Sequence, residues 1–116
     1  MKRDLGLVRR MLLVIEASPS GFRADTLDLA GYTSEQVAYH LRLVLEAGLV
    51  MRLDETSPAP SVLELSWDGH EFADAARDEL RWGRAMRIVG EKAGTVTADV
   101  LRQLLTALMK GTLGLP

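Results

Sequence analysis

Cysteine is absent from this 116-residue chain. That excludes disulfides, thiolate metal sites and cysteine nucleophiles, and it fits a reducing cytoplasm, the expected location. Long apolar runs are also absent. The N-terminus, "MKRDLGLVRRMLLVIEAS", has the outline of a leader, but its longest apolar stretch is Met11 to Ile15, flanked by Arg9, Arg10 and Glu16. A secretory core needs a longer uncharged run and a membrane span needs about 20 apolar residues, so this segment reads as a soluble helix and no membrane partner is expected. Neither a G-x-G-x-x-G nor a Walker sequence occurs, so nothing supports nucleotide binding and no cofactor is expected. The serines at 18, 20, 34, 57, 61 and 66 lack the context of a nucleophile. The expectation is a protein that is not an enzyme.

What is present suits one domain that buries roughly two-thirds of its unfolded surface. The composition, 47% hydrophobic and 26% charged, is that of ordinary globular proteins. Net charge is −2 but unevenly placed. Residues 1–80 carry 8 Lys/Arg against 14 Asp/Glu, and residues 81–116 carry 6 against 2. An acidic body with a basic tail is not the usual footprint of a nucleic-acid binder, whose reading face is positive.

Leu5, Val8, Leu12 and Ile15 recur at helical spacing after a capping Asp4, and Pro19 ends that helix near Ala17. In "RADTLDLAGYT", Leu27 and Leu29 alternate with polar neighbours, which suggests a short strand; whether residues 22–30 are strand or helix stays open. Thr33 and Gln36 have capping-box spacing and start a second helix, whose Val37, Leu41 and Val44 face the core and which stops at Gly48. Strands are expected at 49–53 and 62–66, around a proline-containing loop that holds Asp54 and Glu55. Ser66 caps a helix through residue 80, with Trp67 and Phe72 packing inward and Gly69 marking a close backbone approach. A short helix from Arg81 follows. A last helix spans about Thr97 to Lys110, and its broad apolar surface calls for more than one neighbour.

Of the two histidines, His40 lies beside the apolar stripe and reads as a packed or capping residue. His70 and Asp74, four apart, share a helix face that suits a divalent ion. The H-E-x-x-H pattern is missing and no third ligand is evident. No metal site is expected.

The order helix, short strand, helix, two-stranded wing, helix resembles a winged helix-turn-helix. The segment "GYTSEQVAYHLRLVLEAGLV" is similar to the recognition-helix region of winged-helix regulators of the arsenic-repressor and multiple-drug-resistance types, and "LELSWDGHEF" to the end of their wing. Over nearly the whole chain, the opening "MKRD", the central "GYTSEQVAYHLRLVLEAGL", "SWDGHEF" and "DVLRQLL" resemble a family of small bacterial and phage proteins of no assigned function. One departure stands out: the regulators have a full helix before the glycine at position 31, and here only about a dozen residues separate Pro19 from Gly31.

The expected fold is therefore mainly α with a small β-wing (α+β), a winged helix-turn-helix over residues 1–80 followed by a basic helical extension, 81–116. That extension either packs on the domain or forms a homodimer interface. Carried over from the regulators, the residues facing a partner are Ser34, Glu35, Gln36, Ala38, Tyr39 and Arg42. Gln36 has the chemistry for adenine and Arg42 for guanine or phosphate. Arg52 on the wing and Arg81, Arg84 and Arg87, spaced three apart, complete the candidates. Two functions stay open. One is a transcriptional regulator that binds double-stranded DNA. The other is a protein-binding adaptor or accessory factor of a phage or mobile element.

Overall fold

Asp4 begins the first helix, α1 (Leu5–Ala17), by accepting the Leu7 N–H on its carboxylate at 3.1 Å. This computed structural model describes residues 1–18, 22–23, 27–53, 62–92 and 98–112. The apolar spacing of α1 puts Leu7, Val8, Met11, Leu12 and Ile15 on its buried side. Each such side chain contributes about 2 kcal/mol by leaving water. The helix ends at Ser18, whose extended backbone suits the proline that follows it.

The second helix, α2 (Ser34–Glu46), has the full capping box. The Thr33 hydroxyl accepts from Gln36 N–H at 3.1 Å, and Gln36 Oε1 accepts from Thr33 N–H at 2.8 Å. Its C-terminus closes with the paired bonds of a Schellman turn, Gly48 N–H to Leu45 O and Leu49 N–H to Val44 O. Gly48 has a φ of 75°, the left-handed region that favours glycine. Val37, His40 and Val44 form its buried stripe, with Leu41 half-buried. Leu7, Met11, Leu29 and Val37 make a common core between α1 and α2, with Leu27, Tyr32 and Leu41 against it.

Three antiparallel strands follow the order β1-β3-β2: β1 (Phe22–Arg23), β2 (Val50–Arg52) and β3 (Val62–Leu65). Val50 faces Leu65, Met51 faces Glu64, and both Arg52 and Phe22 face Leu63. Period-two alternation buries Leu63 and Leu65 and leaves Glu64 exposed. The early strand thus lies at Phe22–Arg23. Leu27–Leu29 is irregular, because Leu27 and Leu29 are held by side-chain packing against α1 rather than by a ladder. The expected wing loop with Asp54 and Glu55 lies outside the described residues.

Ser66 caps α3 (Trp67–Ala76) by accepting the Gly69 N–H at 3.0 Å, and its hydroxyl donates to the Gly48 carbonyl. Gly69 marks the expected close approach: a Cβ there would sit 1.9 Å from the Leu49 carbonyl oxygen. Phe72 is fully buried, but Trp67 is 80% exposed, which corrects the expectation that both pack inward. Five residues at about 100° each put the two on nearly opposite sides of the helix. The expected continuous helix to residue 80 is also broken. Asp78 accepts the Arg81 N–H at 2.8 Å and starts a new helix, α4 (Glu79–Lys92). The last helix, α5, spans Ala98–Thr112.

The architecture is mainly α with a small sheet, in the layout of a winged helix with additional C-terminal helices. The chain divides into two units, Met1–Ala73 and Asp74–Pro116. In the second, α4 packs against α5, and Ala85, Leu101 and Leu105 are fully buried. Among the described residues no helix is long and apolar enough to cross a membrane.

Candidate functional site

The stripe that buries Val37, His40 and Val44 turns the opposite side of α2 to solvent: Ser34, Glu35, Ala38, Arg42 and Glu46 are exposed. Tyr39 is half-buried, edge-on to the His40 ring with centroids 5.5 Å apart. The Arg42 guanidinium lies over the Tyr39 ring, 5.5 Å from its centre. That cation–π contact limits the rotamers of a long side chain while keeping its charge in solvent. Met1, Glu35, Ala38, Tyr39 and Arg42 line a shallow concavity of about 350 Å³.

His40 explains how Met1 comes to be there. Nε2 accepts the main-chain N–H of Asp4 at 2.7 Å, and Nδ1 lies 2.8 Å from the Gln36 carbonyl. A main-chain amide only donates, so the pairing requires the neutral tautomer with its proton on Nδ1. The ring is 1% exposed and both nitrogens are satisfied. The link draws the Met1–Asp4 segment to α2, and Lys2 and Arg3 on it are exposed. The hydrogen bond, made across 36 positions, is invisible to any local pattern.

The sequence candidates separate by environment. Ser34 is exposed on the first turn of α2, and Arg52 is exposed on β2. Gln36 spends its side-chain oxygen on the Thr33 amide, so contacting adenine through that oxygen would open the cap. Tyr39 and Arg42 come together. In the second unit, Arg81 donates to the Ala75 carbonyl at 2.8 Å, which satisfies the C-terminal end of α3. Its Nε is buried with no hydrogen-bond partner among the described residues. Arg84 and Arg87 are exposed and, with Glu79, Leu80 and Gly83, line a second concavity of about 450 Å³.

The other histidine has a different neighbour from the one its helical spacing offers. His70 Nδ1 lies 3.6 Å from Glu16, while Asp74 pairs with Arg77 at 2.7 Å. Among the described residues no three His, Asp or Glu side chains cluster as metal ligands.

Residues 2–95 match the family model described as "Hypothetical protein (DUF2513)". A Haemophilus influenzae relative, described as an uncharacterized protein, is 32% identical over 114 residues, covering 94% of this chain and 96% of its own length. No solved structure matches the chain.

Proposed function

The chain belongs to the DUF2513 family, and within it we propose a small cytoplasmic DNA-binding transcriptional regulator that presents the outer face of α2 to the major groove. The supporting observation is Arg42 stacked on Tyr39, on a helix capped at both ends and anchored through its far side. Arginine in that setting has the planar donor pair for guanine O6 and N7. Lys2 and Arg3 are exposed on the segment tied down by His40, and Arg52 adds a wing charge; these three are suited to phosphates. The reading assigns no catalytic residue, cofactor or metal.

The test is binding of labelled duplex DNA, random and genomic, across a salt series. Affinity is expected to fall by orders of magnitude between about 50 and 200 mM salt, and Arg42→Glu is expected to abolish it. No retention of duplex DNA at the lowest salt overturns the reading.

A second reading, a protein-binding adaptor or accessory factor, is favoured by one observation. Met51 and Leu53 are both about half exposed on β2 and its end, beside the exposed Glu64. Loss of a captured protein partner on Met51→Asp or Leu53→Asp, in a chain that ignores DNA, would select it.

A further inference from the structure

The solvent face of α4 carries a charge pattern complementary to itself. Glu79, Leu80, Gly83, Arg84, Arg87 and Gly90 are all exposed and fall within one side of the helix. Leu80 is 82% exposed. No described side chain pairs with Glu79, Arg84 or Arg87. The acid stands four residues before Gly83 and Arg87 four residues after it. Turning the helix end for end about Gly83 therefore places Glu79 opposite Arg87 and Arg87 opposite Glu79, with Leu80 opposite Met86. Among the described residues, a Cβ on Gly83 or Gly90 would meet nothing within 4 Å beyond its own helix turn. Exposed glycine weakens a helix interior relative to alanine, so neither is explained by packing within the monomer.

We propose that this face docks a second copy of the chain: two α4 helices pack antiparallel across Gly83 in a twofold dimer with reciprocal Glu79–Arg87 pairs. The arrangement is isologous, so each charged contact occurs twice. Arg81 takes no part, since its guanidinium is engaged by the end of α3. The dimer does not depend on whether α2 reads DNA.

Sedimentation equilibrium of the full chain over a micromolar concentration series tests it. A reversible monomer–dimer equilibrium is expected. Glu79→Arg and Arg87→Glu, both on exposed positions, are each expected to weaken it by about tenfold, from two repulsive pairs per dimer. The double variant Glu79→Arg/Arg87→Glu is expected to restore dimerisation, and circular dichroism checks that each variant is folded. A monomer at every concentration overturns the proposal, and so does a dimer indifferent to the single reversals or not restored by the double one. A dimer lost only on Val100→Glu would place the interface on α5 instead. Loss of duplex DNA binding by an Arg87→Glu chain that still dimerises like the unaltered chain would make the strip a phosphate-binding surface instead. Either result overturns the proposal.

Discussion

The main-chain N–H of Asp4 donates to Nε2 of His40 at 2.7 Å, and the carboxylate of the same Asp4 caps α1 through Leu7. One residue thus starts the first helix with its side chain and ties that start to α2 with its backbone. The tie also holds the segment carrying Lys2 and Arg3 at the outer face of α2, beside Tyr39 and Arg42.

Replacing His40 tests that tie. His40→Ala leaves a cavity and strips the Asp4 amide of its acceptor, so the unfolding free energy is expected to fall by about 2–4 kcal/mol. Urea unfolding should show a lower midpoint with unchanged slope. His40→Gln keeps an acceptor and should recover part of the loss. A cost below about 0.5 kcal/mol for the alanine variant, within the range of ordinary surface changes, would show that the link holds little.

Two glycines should respond to the same substitution with opposite signs. Gly69→Ala forces a methyl against the Leu49 carbonyl, where backbone must move, and a loss of about 2 kcal/mol or more is expected. Gly83→Ala meets nothing within 4 Å among the described residues and should gain about 1 kcal/mol from helix propensity. Thermal melts at protein concentrations below dimerisation read both; equal signs would refute the contrast.

Caps give a third test. Thr33→Ala removes one arm of the capping box and is expected to cost about 1 kcal/mol. Ser66→Ala loses two bonds, the one from Gly69 N–H and the one to the Gly48 carbonyl, and should cost more. If the order of the two in denaturant melts is reversed, Ser66 does not join the end of α2 to the start of α3.

For DNA, Arg42→Glu and the pair Lys2→Ala/Arg3→Ala should differ in kind. The first removes a base or phosphate reader and should abolish binding. The second should weaken random and genomic duplexes alike, and reduce the log–log salt slope by about 1 for each phosphate no longer neutralised. An unchanged slope would take Lys2 and Arg3 out of the interface.

The elements that were legible in the sequence are those whose cause is local. Thr33 and Gln36 announce α2 because a capping box is closed by residues three apart. Gly48 announces its end because few other residues take a positive φ. Gly69 declared a close approach without naming the Leu49 carbonyl it approaches. Trp67 misled because a large aromatic suggests burial, while its place on the first turn of α3 faces it away from the side that buries Phe72. The break at Arg77–Asp78 was hidden because Asp78 has helical neighbours on both sides; only its bond to the Arg81 amide shows that it caps.

The amino-acid sequence by itself determined α1, α2, the strands β2 and β3 and the side of α2 that enters the core, since periodicity and capping are properties of neighbouring residues. Tertiary structure alone decided what surrounds the outer side of α2. His40 bonds to Asp4 across 36 positions, and that bond sets Met1 beside Tyr39 and Arg42. The physical reason is that a buried ring nitrogen must be satisfied, and the donor that satisfies it can come from any part of the chain that folding brings near.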